Sequence, residues 1–329
     1  MRPVVIIGGG LGGLSAAYAL ETRGVPYTII ELKPRLGGSL ESSRSAGFLY
    51  DTSRMLTQDR LDDPVFAQLG LADALEVVRT DEDGDWAAFR EGHQALIDAL
   101  AAPLTGTVLY RMAATSAGEF DARDRARGAP RFCVCLENGT VIDASGLIVA
   151  APARYAERIL RSLDPGAAAL LDQYRYDSVA RLNIGYWSDD VRGKLPQMPP
   201  SDYPLTYIHT LTMPKRTPEG GVLIQAGVRF DPAKGLSAEA GGDVAGAFAA
   251  LLGLPETPLF EHISVWPEDE PLRWLDDDFE TRIEKLYYAL PEGAAVAGSD
   301  YVVTGDHRPT LAERIHSGFA AAIHILHAL

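Results

Sequence analysis

Hydrophobic residues follow two different patterns along the chain, and each pattern predicts a different kind of β-strand. Val4–Ile7 and residues 147–151 are continuous apolar runs, as expected for strands buried on both faces of a parallel sheet. Residues 181–187, Gly221–Arg229 and residues 262–266 instead alternate like half-buried antiparallel strands. The chain is therefore expected to contain a parallel sheet and a separate antiparallel sheet.

Helices are expected where apolar residues recur every three or four positions. Residues 14–23 form an alanine-rich helix closed by Gly24, which together with strands at 4–7 and 27–30 makes a βαβ unit. Residues 59–102 are expected to be mostly helical, as are Phe279–Ala289 and residues 311–329. The last helix should bury one face, made of Ile315, Phe319, Ile323 and Leu326. The remaining predictions are strands at 107–116, 131–136, 141–142 and 294–297, a hairpin turn at Asn138-Gly139, and loops at 195–204 and 213–221.

Composition narrows the classes of partner. The 329 residues are enough for two domains at ~100–200 residues each. The net charge of −15 argues against nucleic acid and against an anionic membrane surface, because both would repel the chain. No apolar run reaches the ~18 residues of a membrane span. Cys133 and Cys135 would lie on one face of a strand, where they are expected to be small core residues and not a disulfide or a zinc site. The lack of an expected disulfide favours a reducing, cytoplasmic location.

A glycine-rich turn between the first strand and the first helix is the first candidate site. In Gly8-x-Gly10-x-x-Gly13, Gly8 allows a tight turn, Gly10 allows the backbone to approach a pyrophosphate, and Gly13 allows the helix to pack against the strand. The helix N-terminus then offers N–H groups and a positive dipole end to phosphates. Glu31, at the end of the second strand, is placed to bind ribose hydroxyls and would repel the 2′-phosphate of NADP. The pattern predicts a site for NAD or FAD.

The segment after the second strand distinguishes these two cofactors. Glu31-Leu32-Lys-Pro-Arg35-Leu-Gly37-Gly38 resembles the Glu-x-x-x-Arg-x-Gly-Gly segment of the flavin-containing amine oxidase superfamily, which includes protoporphyrinogen oxidase, renalase and GDP-dissociation inhibitor. Two adjacent glycines would allow a second close approach of backbone to the cofactor. The resemblance implies FAD, and with it an α/β protein that combines a two-dinucleotide-binding, Rossmann-like FAD domain with a mixed α+β substrate domain on an antiparallel sheet.

The resemblance extends to both ends of the chain and implies the domain boundaries. Residues 143–152 resemble the family strand that precedes the crossing into the substrate domain, and residues 297–301 and 313–318 resemble the C-terminal FAD segment. In the family, the last helix directs its N-terminus at the flavin, where its dipole would stabilise negative charge. The FAD domain is expected at 1–58, 90–152 and 290–329, and the substrate domain at 59–89 and 153–289.

Two positions depart from the family pattern. Ser39 replaces the usual Arg or Lys after the glycine pair, so that charge is lost or comes from Arg44 or Arg54. Ser299 replaces the usual acid after Gly298, with Asp300 one residue later, so either could meet the cofactor. The FAD contacts implied by the resemblance are at Gly8, Gly10, Leu11, Gly12, Gly13, Glu31, Leu32, Arg35, Gly37, Gly38, Ser39, Ala114, Ala151, Pro152, Trp266, Gly298, Ser299, Asp300, Glu313 and Ile315.

The substrate is constrained less than the cofactor. Residues 176–186 and the segment Trp266-Pro267-Glu-Asp-Glu-Pro271 resemble protoporphyrinogen oxidases, but the acids in that segment disfavour an anionic tetrapyrrole there. The chain has no space for the membrane-facing helical subdomain of those enzymes, and its compactness is closer to that of renalase-like proteins. Amine oxidases usually carry a lysine beside flavin N5; none occurs between Lys234 and Lys285, which leaves Lys215.

The expected function is an FAD-dependent oxidoreductase that removes a hydride from a small organic substrate, such as a dihydro ring, with oxygen or a quinone-like compound as acceptor. The alternatives are a porphyrinogen oxidase-like enzyme, an amine oxidase, and a non-catalytic binding protein of the GDP-dissociation-inhibitor type. An NAD(H) dehydrogenase is disfavoured by the paired glycines and by the lack of a second dinucleotide motif. No general base is assigned, although His307 is a candidate. Possible walls of the substrate site are Tyr176, Tyr186, Trp266 and Tyr301.

Overall fold

The computed structural model describes residues 2–82, 84–195, 205–234, 243–271, 278–305 and 308–329. The strands are β1 Val4–Ile7, β2 Tyr27–Glu31, β3 Ser42–Ser45, β4 Phe48–Asp51, β5 Leu75–Asp81, β6 Gly84–Phe89, β7 Thr107–Tyr110, β8 Ala114–Glu119, β9 Phe132–Leu136, β10 Val141–Ala144, β11 Gly146–Val149, β12 Tyr176–Trp187, β13 Leu205–Leu211, β14 Gly221–Arg229, β15 Phe260–Pro271 and β16 Ala294–Val296. The α-helices are α1 Leu11–Glu21, α2 Pro64–Gln68, α3 Gln94–Ala101, α4 Ala122–Ala126, α5 Ala153–Leu160, α6 Pro165–Leu171, α7 Ser188–Val191, α8 Val244–Leu252, α9 Phe279–Ala289 and α10 Leu311–Ala328.

The chain divides into two compact units, each made of separate segments. Unit 1 comprises Met1–Gly38, Leu96–Arg175 and Pro271–Leu329, and unit 2 comprises Ser39–Ala95 and Tyr176–Glu270. These units differ at their boundaries from the expected domains, because residues 39–58 and 90–95 belong to unit 2 and residues 153–175 and 271–289 belong to unit 1. The assignment of one domain to FAD and the other to substrate stays a prediction.

Unit 1 is built on a five-stranded parallel sheet with the order β16-β11-β1-β2-β7. The continuous apolar run Val4–Ile7 is the central strand and is buried throughout, as its sequence predicts. Helices α1 and α10 pack against each other beside the sheet, and their small residues share one core with Val4, Ile6 and Ile148. The predicted α/β fold with a βαβ unit is confirmed.

A second sheet of unit 1, with the order β10-β9-β8, is antiparallel. The predicted hairpin turn at Asn138-Gly139 joins β9 and β10, and Gly139 has the positive φ that such turns favour. Phe132, Val134 and Leu136 face the core, so the intervening Cys133 and Cys135 lie half-exposed on the other face. Both cysteines are free thiols, and the expectation that they are core residues is wrong because the strand buries its larger side chains.

Unit 2 is built on an antiparallel sheet with the order β13-β14-β12-β15, as the alternating pattern predicts. Residues 59–102 are not mostly helical: β5 and β6 form a hairpin, and α2 and α3 are short. Leu69, Leu71 and Leu75 fall at helical spacings, but strand pairing between 75–81 and 84–89 overrides that local pattern. The hairpin of β3 and β4 and the strand β13 were not anticipated.

Helix α10 buries a face that overlaps the expected one in part, since Ile315 is buried and Phe319 and Leu326 pack half-buried against the core. Ile315, Gly318, Ala322 and Ile325 are buried, whereas Ile323 is 40% exposed. Small residues occupy this face because α1 approaches closely: a Cβ on Gly318 would lie 2.2 Å from the carbonyl oxygen of Gly12. Helix α1 also begins at Leu11, three residues earlier than expected. Among the described residues, no helix combines the length and the apolar character that crossing a membrane requires.

Candidate functional site

The N-terminus of α1 lacks a side-chain cap. Gly10 is the N-cap residue, in extended conformation, and it has no side chain to accept a hydrogen bond from the first turn. The first bond of the helix runs from the N–H of Leu14 to the carbonyl of Gly10 at 2.8 Å. The N–H groups of Leu11, Gly12 and Gly13 therefore precede the first intrahelical bond, at the positive end of the helix dipole. This arrangement suits an anionic group.

The glycines of the motif divide into packing positions and one open position. A Cβ on Gly13 would lie 1.9 Å from the Gly8 carbonyl oxygen, and a Cβ on Gly8 would lie 2.6 Å from the Ala150 carbonyl oxygen. A Cβ on Gly12 would lie 2.7 Å from the Gly298 nitrogen. A Cβ on Gly10 would meet nothing closer than the Gly38 Cα, at 3.9 Å. Gly10 is thus the position whose missing side chain leaves room for a ligand, which fits a dinucleotide pyrophosphate.

The paired glycines lie against this open position. Gly37 bridges to Gly10, and its N–H donates to the Gly9 carbonyl at 2.8 Å. Gly37 and Gly38 have φ values of +102° and +62°, which a residue with a side chain rarely adopts. The Gly38 carbonyl accepts hydrogen bonds from Lys33 Nζ at 3.0 Å and from an Arg35 terminal nitrogen at 3.2 Å. These bonds hold the turn, so Arg35 orders the backbone around the site.

Glu31 ties the glycine-rich turn to the end of β2. Its carboxylate is buried and accepts hydrogen bonds from the Gly9 N–H at 2.6 Å and from the Lys33 N–H at 2.7 Å. Each carboxylate oxygen has further acceptor capacity, so these bonds are compatible with ribose hydroxyls as additional donors. The next residue, Leu32, is 66% exposed, so its side chain is available at the surface.

The C-terminal segment approaches α1 through Gly298. The Gly298 N–H donates to Ser317 Oγ at 3.1 Å, which fixes the turn on α10. Gly298 has φ +119° and no heavy atom within 4 Å of a built Cβ. Because a Cβ on Gly12 would meet the Gly298 backbone, Gly10, Gly38 and Gly298 all lie around the N-terminus of α1. Ser317, considered only as part of the resemblance, acquires a structural role here.

The side chains of Asp300 and Glu313 are engaged within the protein. Asp300 is buried, and its carboxylate accepts hydrogen bonds from the Ala153 N–H at 2.8 Å, at the start of α5, and from Ser299 Oγ at 3.1 Å. Glu313 forms a capping box with Thr310 at the start of α10. These contacts give Asp300 and Glu313 structural roles at the starts of two helices, and the cofactor contacts expected at Ser299, Asp300 and Glu313 stay predictions.

Tyr301 is enclosed in unit 1. Its side chain is 2% exposed, and its hydroxyl donates to the Ala151 carbonyl at 2.7 Å. Burial, and then the neighbouring Asp300 carboxylate, raise the pKa of the Tyr301 hydroxyl well above its usual value. This placement supports a role in holding the 151–153 segment and does not support the expected role as a wall of the substrate site.

Four further residues that were expected to contact the cofactor have different contacts and burial, three of them in unit 1 and one in unit 2. Ala114 begins β8 two residues after Met112, whose N–H donates to the Glu31 carbonyl at 3.1 Å. Pro152 is exposed and is the N-cap residue of α5. Ile315 is fully buried on the core face of α10, so only its backbone is left for a contact. In unit 2, the carbonyl of Ser39 accepts a hydrogen bond from Thr52 Oγ1 at 3.0 Å.

The candidate wall residues of the substrate site in unit 2 differ in their burial. Tyr186 is 2% exposed and donates to the Pro255 carbonyl at 3.0 Å, within the core of the sheet. Its burial does not support a role as a wall. Tyr176 and Trp266 are half-buried, and Trp266 Nε1 donates to the Thr52 carbonyl at 3.0 Å. Trp266 therefore braces the segment after β4.

The acids near Trp266 were expected to disfavour an anionic substrate. Residues 268–269 belong to β15, and Asp269 is buried and paired with Arg181. Although burial alone would lower the pKa of the Arg181 guanidinium, the Asp269 carboxylate and then the Tyr207 hydroxyl raise it above its usual value. The charge of Asp269 is thus compensated by Arg181, so this residue does not repel an anionic substrate.

Two basic residues left open by the sequence lie at the surface of unit 2. Lys215 Nζ pairs with Glu91 at 2.5 Å, and its side chain is 62% exposed. Arg44 is exposed on β3. Arg54, in contrast, is half-buried with its guanidinium 4.0 Å from the centre of the Tyr207 ring. His307 lies outside the described residues.

The structure contains a buried polar network around Asp51 that was not predicted from the sequence. Asp51 accepts hydrogen bonds from Arg216 at 2.7 Å, from the His93 N–H at 2.9 Å and from Ser42 at 2.5 Å, and His93 Nδ1 lies 2.7 Å from Ser53 Oγ. Burial alone would raise the pKa of Asp51, but His93 and Arg216 outweigh it and hold the pKa below its usual value. Ser53 and Asp51 approach the same side of the His93 ring, which is not the relay geometry of a hydrolase triad. The sequence signal was weak, since Arg216 lies in a predicted loop.

No cluster of three or more metal-ligating residues occurs in the described part of the chain.

Comparisons with known proteins agree with this geometry. Residues 6–56 match the family model of the NAD(P)-binding Rossmann-like domain. The chain is 35% identical over 81 residues to 4,4'-diapolycopene oxygenase of Methylomonas sp. and 42% identical over 50 residues to protoporphyrinogen oxidase 2 of Arabidopsis thaliana. These matches cover 24% and 15% of this chain, and they span only 16% and 10% of the two relatives.

Solved structures match over nearly the whole chain. A protein assigned as a protoporphyrinogen oxidase from Exiguobacterium sp. 255-15 has a TM-score of 0.78 at 14% identity, with 98% of each chain covered. Putrescine oxidase bound to putrescine has a TM-score of 0.72 at 14% identity, with 99% of each chain covered. At 14% identity these neighbours show a shared fold: the chain has the fold of these two oxidases, and its residues 6–56 match the NAD(P)-binding Rossmann-like domain.

Proposed function

We propose that the chain is an FAD-dependent oxidoreductase that removes a hydride from a small organic substrate. The observation that carries this proposal is the open position at Gly10, with the Gly38 and Gly298 backbones beside it. An adenine dinucleotide is the ligand class that this cradle suits, because its pyrophosphate needs close backbone approach and helix N–H donors. Hydride acceptance at flavin N5 is the chemistry that FAD supplies when bound.

The chain's own residues would bind and orient the cofactor. The N–H groups at the start of α1 would hold the pyrophosphate, and Glu31 would hold the adenosine ribose while keeping its bond to Gly9. Arg35 and Lys33 fix the Gly38 carbonyl and so keep the backbone close to Gly10. We favour FAD over NAD(H), despite the name of the matching domain family, because the Gly37-Gly38 turn and Gly298 would add cofactor contacts that a nicotinamide dehydrogenase does not need.

The substrate class that we propose is a partly reduced ring of the kind that renalase-like proteins oxidise, with oxygen or a quinone-like compound as acceptor and a cytoplasmic location. Lys215 pairs with Glu91 at the surface, which does not support a lysine-assisted amine oxidase. A hydride donor that becomes aromatic requires only correct orientation against the flavin. A porphyrinogen and an amine are the competing substrates.

The proposal is tested in two steps with the purified 329-residue protein. A yellow protein that binds FAD more tightly than NADH by calorimetric titration would support the cofactor; preference for NADH would overturn it. Flavin bleaching is then followed by anaerobic stopped-flow with dihydronicotinamide isomers, putrescine and a porphyrinogen. Rapid bleaching by the dihydro ring supports the substrate class, and bleaching by the porphyrinogen alone contradicts it. Tight FAD binding without bleaching by any donor would favour a binding protein of the GDP-dissociation-inhibitor type.

A further inference from the structure

Strand β15 of unit 2 carries a histidine and a serine that contact each other. His262 and Ser264 are two residues apart, so they lie on the same face of the strand. His262 Nε2 lies 3.1 Å from Ser264 Oγ, which is hydrogen-bond distance. Among the described residues, Ser264 Oγ hydrogen-bonds to no other group. His262 is therefore the group that can take the hydroxyl proton, as in a nucleophile paired with its base.

The hairpin of β3 and β4, which also belongs to unit 2, packs against the imidazole of His262. The centre of the Tyr50 ring, on β4, lies 4.9 Å from the centre of the imidazole. Tyr50 pairs with Ser43, so Glu41, two residues before Ser43, lies on the same face of the hairpin as Tyr50. The Glu41 carboxylate is close enough to raise the pKa of His262. The imidazole thus has a ring that orients it and a carboxylate that stabilises its protonated form.

Aromatic packing fixes the position of Tyr50. Its ring stacks on that of Phe260 at 5.3 Å, and the Phe260 ring lies 5.0 Å from that of Phe48. Gly185 leaves the space for these two phenylalanines, because a Cβ there would lie 2.6 Å from Phe260 Cδ1 and 2.7 Å from Phe48 Cε2. The imidazole therefore rests on a closely packed support, which limits the reorganisation that a proton transfer would require.

The protonation state of His262 suits a general base. Burial lowers the pKa of His262 below its usual value of about 6.5, although the Glu41 carboxylate offsets part of this effect. The imidazole is therefore neutral at pH 7 and can accept a proton. His93 differs, because its serine and aspartate neighbours both approach Nδ1. Ser264 meets the other ring nitrogen, Nε2, which leaves Nδ1 for the proton that a neutral imidazole keeps.

Ser264 lies on an outer strand of the unit 2 sheet. In the described order β13-β14-β12-β15, one side of the β15 backbone is not paired within this sheet. Backbone N–H groups on such an edge are the kind of donor that stabilises the oxyanion of a tetrahedral intermediate. Ser264 is 9% exposed and its neighbour Val265 is 46% exposed, so a small electrophile can approach the strand from solvent.

We propose that Ser264 is a nucleophile activated by His262, and that unit 2 hydrolyses small activated carboxylic esters, an activity separate from the proposed oxidoreductase function. Ser264 Oγ attacks the carbonyl carbon while its proton passes to His262 Nε2. The bond from that carbon to the leaving oxygen then breaks, and the leaving oxygen takes the proton, which leaves an acyl ester on Ser264. Water attacks this ester and gives a proton to Nε2. The same proton returns to Ser264 Oγ as the carboxylic acid departs, and nothing is oxidised or reduced.

The test uses p-nitrophenyl acetate with the purified 329-residue protein. Absorbance follows the release of p-nitrophenol, and mass spectrometry of the digested protein locates the acetyl group, which is expected on Ser264. Ser264→Ala and His262→Gln should each lower the rate about 100-fold or more, the scale of general-base catalysis. Glutamine can still hydrogen-bond to Ser264 but cannot take its proton, so a merely structural role of His262 would leave the rate unchanged. The wild-type rate should rise with pH through a midpoint below about 6.5, and His262→Gln should remove this dependence.

The matched control is Ser178→Ala. Ser178 has similar burial in the same unit, at 6% exposure, but its hydroxyl donates to the Pro267 carbonyl at 2.8 Å and not to a histidine, so its loss should leave the rate unchanged. Ser264→Cys retains a nucleophile and should keep acyl transfer, which separates the loss of the hydroxyl from misfolding. A wild type without an acetyl group on Ser264, or a rate that survives Ser264→Ala or His262→Gln, would overturn the inference. Neither result bears on FAD binding, which is measured separately.

Discussion

The geometry of the glycine-rich turn predicts which of its glycines is needed for ligand binding and which is needed for packing within the protein. Two alanine variants, Gly10→Ala and Gly13→Ala, each add a single methyl group to the same turn. The Gly10 methyl would have the Gly38 Cα as its nearest neighbour, at 3.9 Å, which is an ordinary contact. The Gly13 methyl would lie 1.9 Å from a backbone carbonyl oxygen, which cannot move without moving the turn.

The stability effects follow from these distances. Alanine is a poorer N-cap than glycine by roughly 0.5–1 kcal/mol, but it lowers the entropy of the unfolded chain by about 0.4–1 kcal/mol. Gly10 has φ −71° and ψ −176°, which alanine adopts without strain, so the net change in the free energy of unfolding should be within about 1 kcal/mol. Gly13→Ala should cost about 2–4 kcal/mol, because overpacking against backbone is relieved only by displacing α1 from β1.

The effect of Gly10→Ala on FAD affinity is expected to be large although its effect on stability is small. Gly10→Ala should weaken FAD binding at least 100-fold, since its methyl would occupy the space left for the pyrophosphate. Urea unfolding of the flavin-free proteins gives the stabilities, and calorimetric titration with FAD gives the affinities. If Gly10→Ala binds FAD like the wild type, or loses as much stability as Gly13→Ala, the assignment of Gly10 as the ligand-facing position is incorrect.

Three further predictions address other parts of the molecule. Glu31→Ala should weaken FAD binding by roughly 1–3 kcal/mol, and it should destabilise the flavin-free protein by about 1–3 kcal/mol because the Gly9 N–H loses its acceptor. Calorimetric titration measures the first loss and urea unfolding the second. If neither quantity changes, the role of Glu31 is contradicted. Asp51→Asn should cost about 3–5 kcal/mol at neutral pH by leaving Arg216 without its carboxylate. Because folding lowers the pKa of Asp51, the stability that its carboxylate contributes is complete above the unfolded-state pKa of about 4 and is lost as the pH falls through the folded-state pKa. The difference in free energy of unfolding between variant and wild type should therefore narrow in acid. Unfolding curves at pH 7 and below pH 4 measure this difference, and a constant difference would refute the prediction. A chain ending before Asp300 should neither retain flavin nor fold stably, because it loses Tyr301 and α10; a folded, yellow truncate would show that α10 is dispensable.

The parts of the fold that depend on local pattern could be predicted from the sequence. Gly221–Arg229 and Phe279–Ala289 have the expected bounds, and Val4–Ile7 is the central strand of a parallel sheet. In each case, the residues that determine the element lie within it. The same holds for the glycine-rich turn between β1 and α1 and for the position of Glu31 at the end of β2, whereas the hydrogen bond that joins them was not predicted.

The parts that depend on distant partners could not be predicted. Residues 75–89 form a hairpin because each half pairs with the other, although their apolar spacing also suits a helix. The buried face of α10 is decided by the approach of Gly12, about 300 residues earlier in the chain. The charge of Asp269 looked repulsive in isolation because its partner, Arg181, lies 88 positions away. Such contacts leave no periodic signal in the sequence.

The arrangement of unit 1 has a consequence for the order in which the chain can fold during synthesis. Strand β1 is the earliest strand of its sheet to be synthesised, but the sheet is completed by β16, about 290 residues later, and its core by Ile325 of α10. At a ribosomal rate of about 5–20 residues per second, the first strand waits roughly 15–60 s for these partners. During that time the apolar faces of Val4–Ile7 and Gly146–Val149 lack their final cover. Unit 1 should therefore form only after translation reaches α10, and the nascent chain is expected to need protection from aggregation that a chain folding from its N-terminus onward would not.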